Sequence, residues 1–184
     1  MIWNEILCLG DSLTYGARDE HGRSFPAELG KLLSEKTKEF YICHNYGVNG
    51  ETSSDLLRRS WNILKSNRSC KIATLLIGTN DTKQPTPIDV YEDNLRQIIL
   101  SVKANGMELI VATLPELRFS PYYIENRHYI KIYSDKIREM SDIYNFRVCE
   151  LNRMGEYLVD GVHFNNAGSK EIAARFCNII LGME

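Results

Sequence analysis

No apolar run in this sequence approaches the roughly 20 residues that a membrane-spanning helix needs, so an integral membrane segment is not expected. An excess of one charge is also missing. The chain carries 22 Lys and Arg against 24 Asp and Glu, a formal net charge of -2, which gives no reason to expect nucleic acid or an anionic membrane as partner. Arg58-Arg59 is an isolated basic pair of the kind found on solvated helix faces. Cysteine is sparse and odd in number. Cys8, Cys43, Cys70, Cys149 and Cys177 share no metal-ligand spacing, so neither a disulfide framework nor a metal site is expected, and no cofactor motif is present. Cys8, Cys43 and Cys149 fall in apolar strand candidates, where a free thiol acts as a small hydrophobe; this suits a reducing, cytoplasmic compartment. The first residues lack the basic and apolar regions of a signal peptide, so none is expected. In that setting Asn67-Arg68-Ser69, a glycosylation pattern, is chance. Repeats, linkers and low-complexity stretches are absent, and 184 residues fit one domain over 1–184.

What is present is an alternation of short apolar runs with helical periodicity. The runs Ile6–Leu9, Phe40–Cys43, Ile72–Ile77, Leu109–Leu114 and Arg147–Leu151 read as strands. Between them, Ser24 is placed to cap a helix bearing Phe25, Leu29, Leu32 and Leu33, and Thr86 to cap one bearing Tyr91, Leu95, Ile98, Ile99 and Val102, with Pro87 at its first position. Further helices carry Leu56, Leu57, Trp61 and Leu64; Ile130, Tyr133, Ile137, Met140 and Tyr144; and, over roughly 167–181, Ile172, Phe176, Ile179 and Ile180. Five strands alternating with helices imply a three-layer α/β/α fold. Its five-stranded, mostly parallel sheet is expected in the flavodoxin-like order.

The apolar runs end in polar clusters. Ile6–Leu9 gives way to Gly10-Asp11-Ser12-Leu13, the second run leads to Asn45 through Gly50, the third stops at Gly78-Thr79-Asn80-Asp81, and the last leads to Asp160-Gly161-Val162-His163. In an open α/β sheet all of these gather at the carboxyl edge, where ligand sites form. Taken singly, each cluster is ordinary: Ser12 reads equally as a helix cap, Asn80 and Gly50 as turn residues, and Asp160 as a cap before the last helix.

In this order, and across essentially the whole chain, the clusters resemble the GDSL esterases and lipases of the SGNH-hydrolase superfamily. The resemblance implies one catalytic domain and a serine hydrolase acting on small carboxylic esters. Matched by position, Ser12 is the nucleophile, His163 the general base and Asp160 its orienting acid, with the oxyanion hole made by Ser12, Gly50 and Asn80. The residue types suit that chemistry. A serine hydroxyl needs a base to take its proton, and a neutral imidazole is such a base near pH 7. A carboxylate fixes the ring tautomer, and N–H donors stabilise the charge that develops on the carbonyl oxygen. Asp11 and Asp81 read as loop-ordering hydrogen bonders, and His21, His44 and His128 as structural or exposed. Gly-x-Ser-x-Gly, the nucleophile elbow of the α/β-hydrolases, is absent. The sequence after His163, Phe164-Asn165-Asn166-Ala167-Gly168, lacks the proline that many family members carry there. The aromatic segment 116–129 is expected either to wall the pocket or to pack on the following helix. A short-chain or carbohydrate acetyl esterase is the leading expectation; a lysophospholipase or thioesterase, an acyl transferase and an inert binding module with the same fold are the alternatives.

Overall fold

The structure, a computed structural model, describes residues 3–118, 123 and 125–183. Five strands, β1 (Trp3–Gly10), β2 (Phe40–Gly47), β3 (Ile72–Leu76), β4 (Glu108–Ala112) and β5 (Arg147–Cys149), form one sheet in the order β2-β1-β3-β4-β5. Every pairing is parallel, which is the flavodoxin-like arrangement. Among the described residues six α-helices accompany it: α1 (Ser12–Tyr15), α2 (Phe25–Thr37), α3 (Ser53–Ser66), α4 (Ile88–Ala104), α5 (His128–Tyr144) and α6 (Asn166–Leu181).

The apolar stripes explain the layers. Helices α2 and α6 pack together on one face, where Phe25 and Phe176 stack with ring centroids 5.3 Å apart. On the other face α3, α4 and α5 pack in series, and Tyr91 of α4 stacks on Tyr133 of α5 at 4.2 Å. With both faces covered, Leu7, Cys8, Leu9, Ala73 and Leu75 are all fully buried.

The departures from the sequence reading have local causes. Strand β2 runs on to Gly47, because an edge strand with one open side accommodates His44 and Asn45 while its backbone stays paired with β1. Strand β3 ends at Leu76, β4 at Ala112 and β5 at Cys149, each short of its apolar run. Trp61 points out of α3 and is 65% exposed, with the Lys65 ammonium 5.1 Å from its ring; Ile63 takes the buried position instead. Ser24 occupies the N-cap of α2, yet its hydroxyl accepts from Asn45 Nδ2 at 3.1 Å and not from the helix. Thr86 does not cap α4: Pro87 is the N-cap, the helix starts at Ile88, and the Thr86 hydroxyl donates to Asp81 at 2.9 Å. No helix among the described residues is long and apolar enough to cross a membrane.

Candidate active site

Strand β1 delivers Ser12 at the carboxyl edge of the sheet. Helix α1 sits directly on the ends of β1 and β2, and glycine makes that approach possible. A Cβ on Gly10 would lie 2.3 Å from the Leu76 carbonyl oxygen and 2.2 Å from Thr14 Oγ1, and one on Gly47 would lie 2.1 Å from the Tyr15 nitrogen. The requirement at Gly10 is therefore space, not backbone freedom. The cap of α1 is Asp11, whose Oδ1 accepts from the Leu13 N–H at 2.9 Å, while Ser12 is the first residue of the helix. Burial pushes the Asp11 carboxyl up to about 7; the Leu13 hydrogen bond opposes this shift and the nearby charges of Asp81 and Glu51 reinforce it.

His163 and Asp160 reach Ser12 from the loop between β5 and α6. His163 Nε2 lies 3.0 Å from Ser12 Oγ, and His163 Nδ1 lies 2.8 Å from Asp160 Oδ2. The loop is held locally. Asp160 Oδ1 accepts from the backbone N–H groups of Val162 and His163, Val159 N–H donates to the His163 carbonyl at 2.8 Å, and Leu158 bridges Phe164 in antiparallel fashion. Asn165 then caps α6 by accepting from Gly168 N–H, so helix entry is achieved without a proline after the histidine. Burial alone would raise the Asp160 carboxyl, but the hydrogen bonds from His163 and Val162 outweigh it and hold the group below its usual range.

Gly50 and Asn80 complete the edge. Gly50 has φ +80°, and nothing lies within 4 Å of where its Cβ would be, so its need for glycine is conformational. Asn80 opens a short 3₁₀ turn, Asn80–Thr82. Its Nδ2 donates to the Glu51 carbonyl at 3.0 Å and, more weakly, to Asp11 Oδ2 at 3.5 Å; its Oδ1 accepts from the Tyr123 hydroxyl at 3.0 Å. The phenol thus fixes the amide's orientation, with its nitrogen turned to Glu51 and Asp11. Burial, aided by the charges of Asp11 and Asp160, pushes that phenol up to about 12, so it remains a donor at neutral pH. A cavity of about 490 Å³ opens over Ser12, bounded by Gly50, Asn80, Tyr123, Arg18 and His163.

Of the five sequence-selected residues, Ser12, Gly50, Asn80 and His163 line this cavity, and Asp160 stands behind His163. Asp11 and Asp81 order the loops as expected: Asp81 accepts from Ser53 N–H at 2.9 Å, Ser53 Oγ at 2.6 Å and Thr86 Oγ1 at 2.9 Å. Of the aromatic segment, Tyr123 lines the cavity, while Phe119 and Tyr122 lie outside the described residues. Arg59, expected from the sequence to be half of a solvated basic pair, is instead largely covered and bonded inward. Its guanidinium grips Glu51 through Nε at 2.7 Å and donates to the Tyr46 carbonyl at 2.7 Å, tying the Gly50 loop to α3 and β2. No local motif announces that pair. A signal did exist for the start of α3, the capping box Thr52-Ser53-Ser54-Asp55, and its reciprocal hydrogen bonds are present.

Comparison with known proteins gives the family. The profile of the GDSL-like lipase/acylhydrolase family matches residues 8–170, a stretch that holds all five site residues. The isoamyl acetate-hydrolyzing esterase of Saccharomyces cerevisiae is 26% identical, over 92% of this chain and 83% of that protein. The thioesterase 1/protease 1/lysophospholipase L1 of Escherichia coli is 28% identical, over 91% of this chain and 79% of that protein. The solved lipase/acylhydrolase of Enterococcus faecalis shares the fold with a TM-score of 0.84 at 23% identity, covering 97% of this chain and 96% of its own. The chain belongs to the GDSL-like lipase/acylhydrolase family and is an esterase-type acyl hydrolase.

Proposed function

We propose that the chain, as one catalytic domain over 1–184, hydrolyses small carboxylic esters through an acyl-enzyme on Ser12, with short-chain or carbohydrate acetyl esters as the leading substrates. The observation that carries this reading is the continuous relay from Ser12 Oγ to His163 Nε2 at 3.0 Å and from His163 Nδ1 to Asp160 at 2.8 Å. His163 takes the Ser12 proton as Oγ attacks the ester carbonyl. The backbone N–H groups of Ser12 and Gly50 and the Asn80 amide face the oxygen that becomes negative. Collapse of the tetrahedral intermediate breaks the bond to the alcohol, which leaves with the proton from His163. Water, deprotonated by His163, then attacks the acyl-enzyme, and the carboxylic acid leaves with Ser12 restored. Asp160 keeps the imidazole in the required tautomer throughout. No cofactor or metal is assigned to these steps. The cysteines, all free, suit a reducing cytoplasm.

The short-acyl preference draws on the yeast relative, named for an acetate ester. The Escherichia coli relative, named as a thioesterase and lysophospholipase, supports a second reading in which the acyl chain is long. A series of p-nitrophenyl esters of graded acyl length separates the two: turnover is expected to be greatest for acetate and to fall with chain length, and a maximum at long chains selects the second reading. Run beside it, Ser12→Ala is expected to lose about six decades of kcat. A fluorophosphonate is expected to add one covalent mass, on Ser12. Labelling of another serine, or retained turnover in Ser12→Ala, removes Ser12 from the reaction.

A further inference from the structure

Toward the amino ends of the strands, away from Ser12, the sheet gathers a second group of reactive side chains. Glu5 stands on β1, His44 on β2, and Cys70 just before β3. One ligand atom from each lies within 4.8 Å of the other two. His44 Nε2 and Glu5 Oε2 are 2.7 Å apart, and Ser69 Oγ donates to the same carboxylate oxygen at 3.0 Å. The imidazole and carboxylate are about one-third exposed, leaving a path from solvent, whereas Cys70 is 1% exposed. Chain spacing hides the group, because β1 lies between β2 and β3 and pairing alone brings the three together.

We propose that Glu5, His44 and Cys70 form a binding site for Zn²⁺ or a similar borderline-soft divalent cation, with water completing the coordination. A carboxylate–imidazole pair by itself would be one more partly exposed ion pair. The sulfur changes the donor set to thiolate, imidazole and carboxylate, which are the zinc ligand types. Zinc bonds of about 2.0–2.3 Å place tetrahedral ligand atoms roughly 3.4 Å apart, a short closure for ligand atoms that already lie within 4.8 Å of one another. Paired strands supply the rigid support a preformed site needs, and Ser69 orients the carboxylate from outside, as a second-sphere group does. The competing reading is a Cys–His–Glu nucleophile. Burial and the charge of Glu5 push the Cys70 thiol up to about 11, the reverse of what activates a nucleophile. A metal displaces that proton, and binding then tightens with rising pH. An ion here ties β1 and β2 to the entry of β3, roughly 20 Å of extended chain from Ser12, so it acts on stability and leaves ester turnover alone.

The test is metal binding by the full chain, stripped of metal and titrated with Zn²⁺ or Co²⁺ alone. One retained zinc per chain is expected, with a Co²⁺ spectrum containing a thiolate-to-metal charge-transfer band. At free zinc a hundred times Kd, Tm is expected to rise by roughly 5–10 °C. Affinity is expected to be higher at pH 8 than at pH 6. Cys70→Ser should abolish the charge-transfer band and weaken zinc binding by at least about a hundredfold, since even second-sphere losses cost 10–100-fold. His44→Gln, which keeps the sulfur, should weaken binding comparably and serves if Cys70→Ser folds poorly. Wild-type protein that retains no zinc, or variants that bind it as tightly as the wild type, would overturn the site.

Discussion

Asp160 and His163 stand on a loop fixed by its own short-range hydrogen bonds, with side chains 38% and 21% exposed. Gly50 and Asn80 stand on segments tied together across the helical layer. Asp81 grips Ser53 at the start of α3, Asn94 of α4 donates to the same Ser53 hydroxyl at 3.0 Å, and Arg59 anchors Glu51. The side of the proposed base is thus an accessory to a finished fold, while the side of the proposed oxyanion hole is part of what closes the fold. The difference teaches where a change will be felt: a substitution on the base side should alter rate with little effect on stability, and one on the oxyanion side should alter both.

The largest expected effect tests the base side. Asp160→Asn keeps an oxygen for the backbone N–H groups of Val162 and His163 but presents an amide where the imidazole needs an acceptor. The wrong tautomer follows, with a fall in kcat of up to about four decades. The ion pair with Arg18, at 3.7 Å and largely solvated, has little to lose, so the urea midpoint is expected to hold. Wild-type kinetics would remove Asp160 from the site, and a collapsed midpoint would end the distinction between the two sides.

Asn80→Ala tests the other side. The proposed oxyanion donor acts on charge that develops in the transition state, so its loss is expected to lower kcat about a hundred- to thousandfold with little change in KM. The variant also strands the Tyr123 hydroxyl and the Glu51 carbonyl, which costs stability of about 1–3 kcal/mol. The sequence alone set these outcomes against each other, as donor or turn residue. The structure gives Asn80 partners that make both losses expected together. What tests the oxyanion role is kcat per folded molecule, and a lowered midpoint with unchanged kcat would sink it.

Much of this was legible in the sequence because the informative features are local. Leu7 and Leu9 needed only an apolar run and Tyr91 through Val102 only a helical period, whereas Ser12, Asn80 and His163 stood out only through the order of their motifs, which resembles the GDSL family. What stayed hidden depends on distant pairing. The Arg59–Glu51 clamp, the Tyr123–Asn80 hydrogen bond and the Asp81–Ser53 link join residues from different elements, and no periodicity records them. Trp61 counts among the apolar positions of α3 in the sequence yet faces solvent, because hydrophobicity marks a stripe only approximately and a large ring can rest on the surface beneath a lysine. Gly10 shows in the sequence only as the end of an apolar run; the reason a glycine stands there, contact with Leu76 and Thr14, requires the neighbours to be in place.

The smallest effect concerns the two carboxylates flanking Ser12, which depart from the ordinary value of 3.8 in opposite directions. Asp160 is depressed in the folded state, so its contribution to stability is present above pH 3.8 and is lost as the pH falls through the folded value. Asp11 is raised to about 7, so between pH 3.8 and about 7 the folded chain holds a proton that the unfolded chain has released. Stability therefore declines as pH rises through that window and levels off above it. Asp11→Asn retains an acceptor for the Leu13 N–H but has no charge to bury against Asp81 and Glu51. A displacement of about three pKa units sets a ceiling near 4 kcal/mol. The new amide faces Asn80 Nδ2, a donor 3.5 Å from Asp11 Oδ2 in the wild type, which reduces the gain. The variant is expected to be about 1–3 kcal/mol more stable than wild type at pH 8, with the difference vanishing near pH 4. Urea midpoints of both proteins across that range check it. Midpoints that move in parallel would mean Asp11 ionises without penalty, and the oxyanion side would then tolerate a buried charge as readily as the base side tolerates an exposed one.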